Sequence, residues 1–129
     1  MIAATEFARR RRQLMRMAGE DAAILVAAAP ERMRNADAAW PYRQDSDFHY
    51  LSGFPEADAV LALLPGRRSA EVVLFSRERD GEPDRVHGPT IGSERAIAEF
   101  GMDDAFPIDD IDDILPGMLE GRARVYCHF

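Results

Sequence analysis

Two short apolar runs on either side of a turn signal constrain this chain more than any other feature. Ala59 to Leu64 and Glu71 to Ser76 flank Pro65-Gly66-Arg67-Arg68. A brief, continuously apolar run bounded by turn residues reads as a strand buried on both faces. Pro-Gly reverses the chain, so the pair is predicted to form a β-hairpin. Ala22 to Ala28 is a third run of the same kind, ended by Pro30. Strands of this type need helices packed against them. The expected fold class is therefore α/β, a central mixed β-sheet flanked by helices.

The helices are legible from period and punctuation. Thr5 is a candidate N-cap for a helix over residues 6–18, with Gly19 as its stop and Phe7, Leu14, Met17 and Ala18 on an apolar face. Within it, Arg9-Arg10-Arg11-Arg12 looks like a basic patch, but successive residues step by about 100°. The four side chains splay around the cylinder and read as a solvated face with one snorkelling arginine. Ser46 is a candidate cap for a short turn through Leu51, stopped by Gly53. Ser93 is a candidate cap for a helix through Phe100, with Gly101 after it. Phe106 to Ile108 is a brief extended piece, and Asp109 opens a helix that Pro116 is expected to kink or split at Leu115. A weak edge strand is predicted near Arg85 to His87, and Ala123 to Phe129 alternates as a final strand.

The 129 residues fit one domain, residues 1–129, that buries roughly two-thirds of its unfolded surface. The chain ends in or just after a strand with no polar tail, which reads as a truncation point. A net charge of −7 argues against a nucleic-acid partner. No apolar run approaches the roughly 20 residues of a membrane span, and the N-terminus shows no signal peptide, so no membrane partner and a cytoplasmic location are expected.

Chemistry is sparse. His49, His87 and His128 are isolated in sequence, without metal-ligand spacing. Asp109, Asp110, Asp112 and Asp113 span a predicted first helical turn, where carboxylates complement the backbone dipole. Cys127 and His128 are neighbours on a strand and point to opposite faces, so Cys127 reads as a buried structural cysteine. Gly88 to Ser93 reads as a helix-entry loop. No catalytic residue, metal ligand or cofactor site is expected within the chain.

One stretch does not read as core. Pro41 to Phe54 mixes Arg43, Gln44, Asp45 and Asp47 with five aromatic or imidazole rings in neither a helical nor a strand period. With Arg34-Asn35-Ala36-Asp37, Tyr50-Leu51-Ser52-Gly53-Phe54, Val73-Leu74-Phe75-Ser76-Arg77 and Arg79-Asp80, this stretch resembles the N-terminal domain of the aminopeptidase P (Xaa-Pro aminopeptidase) family. Order and spacing match from end to end, and Tyr42-Arg43-Gln44 followed by Ser46-Asp47-Phe48 is the most specific block.

The resemblance implies a creatinase-like N-terminal domain followed by a catalytic domain of the pita-bread fold. There, two divalent metal ions, typically manganese, are held by two aspartates, a histidine and two glutamates, none of which maps onto residues 1–129. The implied substrate is a proline-containing peptide cut before a proline in second position. The implied partners are the chain's own C-terminal catalytic domain and other copies, in a dimer or tetramer. Asp37 matches a family aspartate that reaches an adjacent subunit's pocket, against a local loop role. Arg43 is a candidate for an ion pair in its loop or at the interface. Val86 stands near a frequent family tryptophan, and His87 is the candidate replacement. Phe48, Tyr50 and Phe54 read as packing for the loop. An Xaa-Pro dipeptidase and a stand-alone binding module remain alternatives, since fold does not dictate substrate.

Overall fold

The hairpin turn forms where its composition requires. Gly66 takes φ +80°, and the Leu64 N–H donates to the Glu71 carbonyl at 2.7 Å. Only a residue without a Cβ adopts that φ without strain. In the computed structural model, residues 4–29, 44–77 and 91–128 are described.

The elements run α1 (Ala4–Ala18), β1 (Ala22–Ala27), α2 (Ser46–Ser52), β2 (Val60–Leu63), β3 (Val72–Ser76), α3 (Gly92–Phe100), β4 (Asp104–Pro107), a 3₁₀ turn (Ile108–Asp110), α4 (Ile111–Leu119) and β5 (Arg124–His128). The sheet order is β4-β3-β2-β1-β5. The three apolar runs form its centre as antiparallel neighbours. β4 joins β3 and β5 joins β1 in parallel, so the sheet is mixed, as expected.

Period-2 alternation sorts each central strand between two cores. Ile24, Val26, Leu61, Leu63 and Leu74 face Met15 of α1, Phe48 and Leu51 of α2, and Ala96 of α3. Ala23, Leu25, Ala62, Val73 and Phe75 face Met118 of α4, flanked by Ile114, Leu115 and Leu119. Each large apolar side chain so buried contributes about 1.5–3 kcal/mol.

Several boundaries differ from expectation. α1 is already helical at Ala4, so Thr5 lies inside it. Met17 is 77% exposed, because two helical steps carry it about 200° away from buried Met15. Asp45 rather than Ser46 caps α2, its carboxylate accepting from the Phe48 N–H. α3 opens at Gly92 with no side-chain cap, which puts Ser93 within its first turn. β4 starts two residues early because Asp104 and Ala105 pair with Val73 and Leu74. α4 passes through Pro116 unsplit; the proline removes one backbone donor, while the apolar side chains around it still pack on the sheet. The predicted edge strand near Arg85 to His87 lies outside the described residues.

Candidate functional site

The chain leaves one end of the sheet repeatedly. Ala27 pairs with Val60, and Val60 with Phe75. The C-terminal ends of β1 and β3 and the N-terminal end of β2 therefore lie in one row. The 30–43 segment follows β1 and the 78–90 segment follows β3. Asp37 and Arg43 belong to the first, His87 to the second, and all three lie outside the described residues. The stem that anchors them is described in atomic detail.

Gln44 is the centre of that stem. Its Oε1 accepts from the backbone N–H of Ala29 and of Asp45, each at 2.9 Å. Its Nε2 donates to the carbonyls of Phe54 and Glu56, at 3.2 and 3.0 Å. One carboxamide thus ties the exit of β1, the start of α2 and the loop after α2. The Glu56 carboxylate extends the network by accepting from the Ile91 N–H at 2.9 Å, at the entrance to α3.

α2 is held at both ends. Gly53 closes it in the left-handed region, at φ +68°. The Ser52 hydroxyl donates to the Phe48 carbonyl at 2.7 Å and accepts from the Phe54 N–H at 3.0 Å. Phe48 and Phe54 are fully buried, and Phe54 meets Phe100 edge to face with centroids 5.2 Å apart. They pack the loop as expected. Tyr50 departs from that reading: it is 52% exposed, with the Arg10 guanidinium 4.2 Å from its ring centroid.

The arginine run splays as geometry dictates. Arg9 grips Glu6 through two 2.7 Å bonds, which with Arg10 holds the Glu6 carboxyl down at about 2. Arg11 corrects the sequence reading. It does not snorkel; it is 1% exposed, donating to the Leu51 carbonyl at 2.8 Å and the Gly101 carbonyl at 3.4 Å. Burial lowers its pKa, which Asp103 partly offsets. The signal was in the sequence, since Phe7, Arg11 and Met15 fall on one stripe at a spacing of four.

The fold also assembles a cluster that sequence distance concealed. His128 Nε2 lies 3.3 Å from Asp45 Oδ1 and 3.1 Å from Asp47 Oδ2. Among the described residues, these are the only His, Cys, Asp and Glu side chains gathered closely enough to share an ion. All three are at least partly exposed, and one His128 ring nitrogen faces both carboxylates. Burial raises the Asp45 pKa, but the Phe48 N–H and His128 outweigh it and leave the carboxyl below its ordinary value. The cluster borders a cavity of about 410 Å³ floored by Leu14, Ile24, Val26 and Leu51.

Cys127 is exposed rather than buried, because every residue of edge strand β5 is exposed among the described residues. Asp109, Asp110, Asp112 and Asp113 are exposed in the first turns of the 3₁₀ segment and α4, as expected for dipole complementation. Among the described residues no set of two aspartates, one histidine and two glutamates is gathered as a dinuclear site would need.

Comparison with known proteins agrees with this architecture. The family profile described as the aminopeptidase P N-terminal domain matches residues 7–126. The Xaa-Pro aminopeptidase of Escherichia coli strain K12 is 39% identical over 97% of the chain, which spans 29% of that relative. Human Xaa-Pro aminopeptidase 3 is 33% identical, with 97% and 27% covered. The solved structure of the Pseudomonas aeruginosa aminopeptidase PepP superposes with a TM-score of 0.93 at 53% identity, covering 99% of this chain and 29% of that one. A zinc-substituted E. coli aminopeptidase P in complex with product gives 0.88 at 38%, covering 97% and 29%.

Proposed function

The chain belongs to the aminopeptidase P N-terminal domain family, and from that membership we propose that it is the assembly and substrate-gating domain of an Xaa-Pro aminopeptidase. The observation that carries the reading is the 53% identity across 99% of the chain with a solved aminopeptidase. The chain spans under a third of the length of the relatives it matches. In this reading catalysis belongs to a following metal-binding domain, where divalent ions, manganese by family analogy, would supply an activated water. Asp37, Arg43 and His87 are the candidates for substrate or interface contact, and the working form is a dimer or tetramer. No helix among the described residues is long and apolar enough to cross a membrane; the proposed location is the cytoplasm.

The test compares the full-length protein with residues 1–129 on an Xaa-Pro peptide. The full-length protein is expected to release the N-terminal residue with divalent metal present, and the isolated domain to release none. Release by the isolated domain would overturn the division of labour. A full-length protein inert under all metals would favour the stand-alone binding module.

A further inference from the structure

The two edge strands of the sheet are unlike. β4 and β5 each join it in parallel, and parallel strands are ordinarily covered on both faces. β4 obeys: Ala105 is buried in the core that includes Met15 and Ala96, while Phe106 packs on the opposite side with Phe75. β5 does not, since every residue from Arg124 to His128 is exposed on either face. Tyr126 pairs with Ile24 and His128 with Val26. Both therefore stand on the α1 side of the sheet, beside the 410 Å³ cavity whose floor is Leu14, Ile24, Val26 and Leu51.

Of the five exposed large hydrophobic side chains among the described residues, Met17 and Tyr50 line that cavity and Tyr126 stands next to Ile24. Scattered singly, such groups are ordinary surface; gathered over an open apolar floor, they mark an interaction face. We propose that this face, centred on Met17 and Tyr126, is the seat on which the remainder of the full-length chain docks an apolar patch of its own. The inference rests on the reading of the chain as one part of a longer enzyme.

The layout of the seat suits a protein occupant. An apolar floor inside a rim of Arg10, Gln13, Asp47 and His128 repeats the dry centre and polar margin of protein interfaces. Chain length selects which protein. The matched family region is an N-terminal domain and includes β5 as far as Tyr126, and the chain spans 29% of the E. coli relative. In a protein of that length the greater part of the chain lies beyond β5, tethered to the strand that is bare. A tethered domain meets its seat at an effective concentration on the order of millimolar when the linker is short and flexible. Even a modest apolar contact is then occupied, whereas a separate partner would need an affinity of its own.

The experiment uses the full-length protein carrying Tyr126→p-benzoylphenylalanine, a photo-cross-linking side chain at an exposed position. Irradiation is expected to join position 126 to a peptide beyond residue 129 of the same chain, with the mass of one copy kept on a denaturing gel. A product of two copies would give the face to a second copy, and no cross-link would leave it bare; either outcome overturns the proposal. Should that variant not fold, peroxide oxidation of the unmodified full-length protein decides the matter. Met17 is exposed and Met15 buried, and a docked domain is expected to bring the oxidation rate of Met17 to within about tenfold of that of Met15. A larger gap would overturn the proposal. Should the cross-link form within one chain while an Xaa-Pro peptide is left uncut, the enzymatic reading alone fails. Should the protein cut the peptide while position 126 cross-links to nothing in its own chain, the docking seat alone fails. A natural chain with nothing beyond residue 129 would sink both.

Discussion

Replacing Arg11 by methionine tests whether a buried cation stabilises this fold or merely survives in it. Methionine keeps most of the stem's volume and removes the guanidinium. The 2.8 Å bond to the Leu51 carbonyl is charge-assisted, and such bonds contribute about 1.5–3 kcal/mol. The 3.4 Å bond to Gly101 is weaker, about 0.5 kcal/mol. Both carbonyls lie at helix C-terminal ends, where a cation adds about 0.3–1 kcal/mol each. Against this stands the cost of desolvating the charge, several kcal/mol before compensation. The Leu51 carbonyl stays buried when the arginine goes, so the loss outweighs the relief. We expect Arg11→Met to destabilise by about 2 kcal/mol and Arg11→Ala by about 4 kcal/mol, the difference being the cavity. For a chain of this length that corresponds to roughly 6–10 °C for Arg11→Met, followed by circular dichroism at 222 nm and confirmed by urea titration. A methionine variant as stable as wild type would show that desolvation cancels the hydrogen bonds, and would refute the reasoning.

Two further perturbations are specific. A Cβ at Gly53 would sit 2.7 Å from the Phe7 ring at a backbone φ of +68°; Gly53→Ala is expected to cost about 2–4 kcal/mol. Adding Phe7→Leu should then recover part of that loss, and a double mutant less stable than either single one would contradict the clash. Asp45→Ala removes the α2 cap and should cost about 1 kcal/mol. Because the folded pKa of Asp45 is depressed, its contribution is fully present above the ordinary aspartate value and disappears as pH falls through the folded one. Asp45→Asn, which still caps, should flatten the acid limb of the stability–pH curve; an unchanged limb would show that Asp45 does not drive it.

Much of the scaffold was legible before any coordinates. The hairpin and the third apolar run are local signals, since burial on both faces demands unbroken apolar sequence. Gly19, Gly53 and Gly101 stopped their helices as read, all at positive φ. The misreadings cluster where two local choices were nearly equivalent. Asp45 and Ser46 are adjacent capable caps, and only the path of the incoming chain selects Asp45. Pro116 was overruled by packing, because side chains on both sides of it reach the sheet. Cys127 looked buried because alternation tells which face a residue is on, but not whether anything covers that face.

The candidate site divides in the same way. Sequence singled out the Pro41 to Phe54 stretch, since mixed polar and aromatic residues without a period are a property of composition alone. It could not assign Gln44 its four partners, which come from residues as far as 15 positions away. Nor could it bring His128 to Asp45 across 83 residues. Sequence by itself determined which segments become strands and helices, because those depend on neighbours within one or two turns. Tertiary structure alone decided which polar side chain is buried and what it holds, because hydrogen bonds and desolvation depend on distance in space rather than along the chain.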